Sequence, residues 1–398
     1  MGIKEFMASF ILTCLLLTLL FIPSLFTKPS STAAHHLHHR RQIHLPVTFA
    51  YLLSASKGDV RRLSRTLNAL YHPGNHYILH LDLEASPEEH LLLSQIISGN
   101  PIFSQFGNVK IVSKPNLVTY RGPTMLAATL HAMAILLRSC KWDWFINLSA
   151  SDYPLITQDD LIVAFSNLPR NLNFIQHSSH LGWKINKRAR PVIIDPALHT
   201  LNKSEIIWTS GQRSLPTAFK LFTGSAWTVI SRDFAEYCVV GWENLPRTLL
   251  LYYTNFISSP EGYFQTLICN SDEFKNTTVN HDLHYITWDY PPKQHPLTLG
   301  LKYYRRMILS GSPFARKFKN DLILDKIDRE ILRRHRGQFS YGGWCLNEKK
   351  SFCLSESRQS GNRNFTLRPG AGSRRLKSLL SRLLLDRNFR RQQCRWRP

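Results

Sequence analysis

Glu261 is the sharpest candidate for proton-transfer chemistry in this sequence. It stands in the turn Ser-Ser-Pro-Glu-Gly at 258–262, directly ahead of the apolar run Tyr263–Cys269. A carboxylate there either complements the positive end of a helix or offers a base to a hydroxyl brought to it. Two further acids, Asp82 and Asp152, each follow an apolar run. An aspartate so placed caps the next helix or binds a ribose or a base. Positive charge is concentrated in "PFARKFK", which supplies Arg316, Lys317 and Lys319. Such a cluster either offsets a bound diphosphate or decorates a solvated helix start. Several patterns are missing. No D-x-D pair occurs, so no magnesium or manganese is expected to hold a diphosphate. No Walker loop, G-x-S-x-G elbow or C-x-x-C pair occurs either, which disfavours phosphate-loop NTPases, serine hydrolases and zinc sites.

These residues need a frame, and the first 150 residues predict one. Strands are expected at Val47–Leu53, Tyr77–Leu81, Val109–Val112 and Trp144–Leu148, and helices at Asp59–Leu70, Glu88–Ile97 and Thr124–Leu137. Strands separated by helices of this length indicate an α/β fold with a mostly parallel central sheet. Ligands in such sheets sit at the carboxyl ends of the strands. Ser54, Asp82, the Tyr120-Arg121-Gly122 segment and Asp152 all lie just past a predicted strand. The second half is less regular. It carries "KLFTGSAWTVI", a helix over Ser231–Val239, "NFISSPEGYFQTLICNS" and a basic, proline-rich stretch at 291–319.

The 398 residues carry 50 Lys and Arg against 27 Asp and Glu, a net charge of +23. That favours an anionic partner. Residues 6–26 contain no charge and are long enough to span a bilayer. The run exceeds the apolar region of a cleaved signal peptide, the alternative reading, so a retained signal anchor is expected. The anchor sets the body in a secretory lumen and argues against nucleic acid as the partner. The expected layout is a tail at 1–5, a transmembrane anchor at 6–26, a stalk at 27–44, a catalytic domain at 45–345 and a basic extension at 346–398. Within the extension, leucines from Leu376 to Leu384 follow helical spacing between arginines. A helix packed on the body is expected there, ahead of one lying on a membrane. Cys345 and Cys353 are the expected disulfide. N-glycans are expected at Asn202, Asn276 and Asn364, whereas the sequon at Asn147 falls in a predicted apolar strand.

Taken in order, "FAYLLSASKGD", "ILHLDLEAS", "FINLSASDYPL", "FTGSAWTVISRDF", "SSPEGYFQTLICN" and "PFARKF" resemble the core-2/I-branching glycosyltransferase family. That family includes β-1,6-N-acetylglucosaminyltransferases, peptide O-xylosyltransferases and a plant branch, and this wording is most similar to the plant branch. Characterised members there are β-glucuronosyltransferases acting on arabinogalactan proteins. The resemblance implies a GT-A-like nucleotide-sugar fold, an inverting and metal-independent transfer from a UDP-sugar to a glycan, and a single-pass type II protein of the Golgi membrane. It gives Glu261 the role of base and Lys317 a diphosphate contact. It gives Asp82 and Ser54 uracil contacts. Relatives often have one more residue between the Pro and the Glu, but measured back from Thr266 the Glu position agrees. A family Arg falls near His284, where this chain has none; Arg316 or Lys293 could stand in. Alternatives are the same fold with UDP-N-acetylglucosamine or UDP-xylose, a non-catalytic anchored lectin, and a basic nucleic-acid binder.

Overall fold

The computed structural model describes residues 45–119, 121–201, 205–291, 295–345 and 366–395. The expected anchor, the stalk, Lys293, Cys353 and the sequons at Asn202 and Asn364 lie outside the described residues. Among the described residues no helix is long and apolar enough to cross a membrane. Residues 43–398 form one compact unit.

The four predicted strands are present within two residues of their expected ends: β1 (Phe49–Ala55), β2 (His76–Leu81), β3 (Val109–Ile111) and β4 (Trp144–Ser149). Among the described residues ten further strands follow: β5 (Asp152–Pro154), β6 (Asn173–Phe174), β7 (His177–Ser178), β8 (Pro191–Ile194), β9 (Ile207–Gln212), β10 (Thr223–Gly224), β11 (Val229–Ser231), β12 (Thr278–Val279), β13 (His284–Tyr285) and β14 (Phe314–Arg316). Seven strands build the central sheet in the order β12-β6-β11-β4-β1-β2-β3, all parallel except β11.

Alternation along the strands explains why this sheet is buried on both faces. Phe49, Tyr51 and Leu53 of β1 join one core cluster with Tyr77, Leu79, Trp144 and Ile146. Ala50 and Leu52 join the other, with Ile78 and Phe145. Successive side chains of a strand point to opposite faces, so an unbroken apolar run needs cover on both. Leu63, Leu67, Leu161 and Phe165, from the helices Val60–Leu70 and Gln158–Phe165, cover the first. The helices Thr124–Ser139, Arg232–Val240, Leu245–Thr254 and Tyr263–Asn270 cover the second. Two helices start at capping boxes, Ser86 with Glu89 and Thr157 with Asp160.

The basic extension belongs to this body. The helix Ala371–Leu384 buries Leu376, Leu379 and Leu380 in the same cluster as Phe165. Its N-terminus is fixed by Asp160, whose Oδ1 accepts from the backbone N–H of Gly370 at 2.6 Å and of Ser373 at 3.0 Å. Asp159 accepts from Gly343 N at 2.8 Å and Arg368 N at 2.7 Å. Gly372 has to be glycine here, since a Cβ would stand 2.3 Å from Asp160 Oδ2. Farther on, Cys394 forms a disulfide with Cys269, at the end of the helix Tyr263–Asn270. Cys345 is also disulfide-bonded, and its expected partner lies outside the described residues. Cys140 and Cys238 are free thiols.

Candidate active site

Strand register places the candidates. Ser54 pairs with His80 of β2 and with Ser149 of β4, so the carboxyl ends of three strands coincide. Asp82 follows β2; its N–H donates to Ala55 O at 2.9 Å, and its Oδ1 accepts from Glu84 N at 3.0 Å. Ser54 is half-buried and Asp82 is buried beside it. Asn147 lies within β4, where its amide donates to Ala226 O at 2.9 Å and accepts from Thr228 N. Asn276, by contrast, is exposed.

Asp152 and Arg316 meet across strands. β14 runs antiparallel to β5 with Arg316 opposite Asp152, and Phe318 N donates to Ser151 O at 2.9 Å. Asp152 Oδ1 lies 3.4 Å from Arg316 Nε, while Oδ2 accepts from Ser149 N and Oγ at 2.5 and 2.7 Å. The carboxylate thus links β4 and β14, through hydrogen bonds from Ser149 and an ion pair with Arg316. The "ARKF" segment is a strand end, not a solvated helix start. The guanidinium of Arg316 lies 3.9 Å from the ring centre of Trp227, and its buried Nε and Nη1 make no hydrogen bond among the described residues. A guanidinium held on an indole and backed by a carboxylate is fixed in place as a cation for an anionic group. His284, the position without the family Arg, is buried in β13 against Trp227 and Phe314.

Electrostatics mark the same place. Burial, then the charges of Arg316 and Lys319, hold the Lys317 ammonium below its ordinary range, with Asp152 and Asp59 opposing. His295 is held low by burial and by Lys317, Arg121, Lys319 and Arg316. Four cations therefore crowd one locality, an arrangement that an incoming polyanion would relieve. Arg121 belongs to the segment expected just past the third strand. Its loop is anchored by buried Asp195, which accepts from Thr119 Oγ1 at 2.8 Å and Thr124 Oγ1 at 3.0 Å. A Cβ on Gly122 would stand 1.9 Å from Asp195 Oδ2, which explains the glycine.

Glu261 ends a 3₁₀ turn, Ser259–Glu261, that enters the helix Tyr263–Asn270. The turn is rigid. Ser258 sits at φ 58°, and its N–H donates to Arg121 O at 2.8 Å. Ser259 is fully buried, its hydroxyl shared by Tyr253 O and Phe256 O at 2.7 Å each. The Glu261 side chain is 32% exposed, so a substrate hydroxyl can reach it. Its Oε2 accepts from Arg188 Nη1 at 2.5 Å, and Arg188 lies 5.4 Å from the ring centre of Trp183. Thr223 Oγ1 donates to Glu261 O at 3.1 Å and accepts from Lys184 Nζ at 2.9 Å. Four residues after Thr223 comes Trp227, the platform under Arg316. The "FTGSAW" segment thus joins the carboxylate to the cations.

Arg188 and Lys184 escaped the sequence reading because they lie some seventy residues before Glu261. Their signal was a basic run, "KINKRAR", in an otherwise irregular region. Among the described residues the only compact grouping of possible metal ligands is His177, Cys269 and Cys394, in which the two sulfurs are bonded to each other.

Comparison with known proteins adds the lineage. Residues 49–308 match the family model described as Branch: Core-2/I-Branching enzyme. The beta-glucuronosyltransferase GlcAT14A of Arabidopsis thaliana is 56% identical over 352 residues, covering 88% of this chain and 78% of that protein. GlcAT14B of the same plant is 56% identical over 348 residues, covering 87% and 80%. Xylosyltransferase 2 of Homo sapiens is 30% identical over 246 residues, covering 61% of this chain and 27% of that protein. Among solved structures, the galactosyltransferase LgtC with donor and acceptor sugar analogues aligns with 68% of this chain and 87% of its own at 8% identity and a TM-score of 0.33.

Proposed function

Because the chain belongs to the Core-2/I-branching enzyme family and is a glycosyltransferase, we propose that it is an inverting β-glucuronosyltransferase of GT-A-like fold. Its donor is UDP-glucuronic acid and its acceptor a β-galactan of the arabinogalactan type. The observation that carries the reading is the pairing of an accessible, rigidly held Glu261 with the Arg316–Lys317 cationic corner, joined by one short segment. Glu261 takes the proton of the acceptor hydroxyl as its oxygen bonds to the anomeric carbon. The bond from that carbon to the UDP oxygen breaks on the opposite face, which inverts the centre. Arg316 and Lys317 stabilise the charge that collects on the departing diphosphate, the part a metal plays elsewhere. Asp82 and Ser54 line the nucleoside end, and Asp152 acts from behind by aiming Arg316. Arg188 keeps the Glu261 carboxylate oriented until the acceptor arrives. The body works in the Golgi lumen behind the anchor at 6–26, with N-glycans at Asn202, Asn276 and Asn364.

The test is UDP release by the lumenal body, offered UDP-glucuronic acid, UDP-N-acetylglucosamine and UDP-xylose with β-galactan acceptors. Acceptor-dependent release with the first donor alone supports the reading. Preference for either other donor replaces the sugar but keeps the mechanism. Glycan binding with no UDP release from any donor means a lectin, and refutes it.

A further inference from the structure

The Ala371–Leu384 helix turns its leucines inward and its arginines outward. Between this helix and the Tyr304–Ser310 helix lies a cleft of about 300 Å³, with Ser310, Arg374, Arg375, Ser378 and Arg382 on its walls. Residues 374, 378 and 382 repeat every four positions and so form one stripe, about 12 Å long at 1.5 Å per residue. Gly311, at φ +77°, lets the two segments close up, since a Cβ there would come 2.9 Å from Arg375 O. None of the three arginines has an ion-pair partner among the described residues, although Arg65, Arg334 and Arg336 each pair with a carboxylate. Three guanidinium groups collected around one concavity repel each other unless an anion joins them.

We propose that this cleft is a docking site for a carboxylate-bearing polysaccharide, separate from the Glu261 site. An elongated stripe suits a polymer with charges spaced along it better than one phosphate. Serine hydroxyls interleaved with guanidinium forks supply partners for both the hydroxyls and the carboxylates of a uronate chain. Lipid fits less well. An interfacial helix needs a free apolar face to sink into the acyl boundary, and here Leu376, Leu379 and Leu380 are buried in the core. The inference is independent of which sugar is transferred at Glu261.

The test compares the full chain in detergent micelles, titrated with polygalacturonate and with neutral β-galactan, against Arg374→Gln/Arg375→Gln/Arg382→Gln. A charge-matched control, Lys110→Gln/Lys114→Gln/Lys141→Gln, removes three exposed cations elsewhere. Wild type is expected to bind polygalacturonate in a salt-sensitive manner. The arginine variant weakens that binding by about tenfold or more, the sum of three part-screened charge contacts. The control binds as wild type does, and both variants keep wild-type turnover on a short neutral acceptor. If the triple variant does not fold, the exposed pair Arg374→Gln/Arg382→Gln makes the same comparison. Undiminished binding by the arginine variants overturns the proposal, as does an equal loss in the control. Tighter arginine-dependent adherence to phosphatidylserine vesicles than to polygalacturonate also overturns it, in favour of a membrane.

Discussion

Replacing Glu261 by Gln changes one charge and almost no volume, so its two consequences can be separated. The first is on stability. Glu261 and Arg188 lie 2.5 Å apart, but both side chains reach solvent, at 32% and 18% exposure. Ion pairs of that kind contribute about 0–1 kcal/mol, and an amide oxygen still accepts from the guanidinium. The thermal midpoint should therefore move by no more than about 2–4 °C. The second consequence is on rate. A general base contributes about 10²–10⁴-fold, which is about 2.7–5.5 kcal/mol of barrier. The contrast between a small stability cost and a large kinetic one identifies a group that acts in the reaction. The assay is UDP release with glucuronate donor and galactan acceptor, resolved into kcat and KM, beside calorimetric melting of the same samples. The expected result is a kcat lowered by at least about 100-fold with an unchanged donor KM, because the proposed diphosphate contacts, Arg316 and Lys317, lie at the end of β14 and not on the Glu261 turn. Wild-type turnover in a folded Glu261→Gln would refute the assignment. A collapse of the melting point together with the rate would show that the loss was structural.

Three other expectations are sharp. Activity should survive EDTA, whereas Lys317→Ala should raise donor KM; loss of turnover in chelator with recovery on added manganese would contradict the cationic stabilisation of UDP. Gly262→Ala should destabilise by about 1–3 kcal/mol, the usual cost of overpacking, because its Cβ would stand 2.7 Å from buried Tyr253; an unchanged melting point would show that the turn yields. Acid should weaken the fold early. Burial depresses His72 from 6.5 to about 3 and His80 to about 4, and both rings accept a backbone N–H, from Gly74 and Asn116. The unfolded chain then binds protons that the folded one refuses, so the stability present above pH 6.5 is lost as pH falls. At about 1.4 kcal/mol per unit for each ring, the two together cost about 3 kcal/mol between pH 6.5 and 5. Melting points that stay level across that interval would rule this out.

The sheet was legible in the sequence because β1 to β4 and their helices are local, each announced by an apolar run and a helical period within some fifteen residues. Ser54, Asp82 and Asp152 followed from that frame, since strand ends are where such sheets bind ligands. Pairings across long separations were not legible. Nothing in "PFARKF" says that it becomes a strand against Asp152, 164 positions earlier, and the register fixes that only in space. Arg188 was missed for the same reason. The cysteine count allowed bridges without choosing among them, so Cys269–Cys394, 125 residues apart, was invisible while the close pair Cys345 and Cys353 attracted attention. Nothing local marks Asp159 and Asp160 as holding the backbone of Gly343, Arg368, Gly370 and Ser373, some two hundred residues later.

That segment has a consequence for how the molecule is made. Part of the hydrophobic core, Leu376 to Leu380, and one half of the Cys269–Cys394 bridge are supplied long after Glu261 in the chain. At about 5–20 residues per second, the ribosome delivers them some seconds after the Glu261 turn has emerged. Until then one sheet face stands partly uncovered and the sulfur at the end of the Tyr263–Asn270 helix has no mate. The nascent chain must wait with that apolar face exposed. A stop before Ala371 would leave that face bare and Cys269 without its partner, a sticky intermediate rather than a smaller folded body.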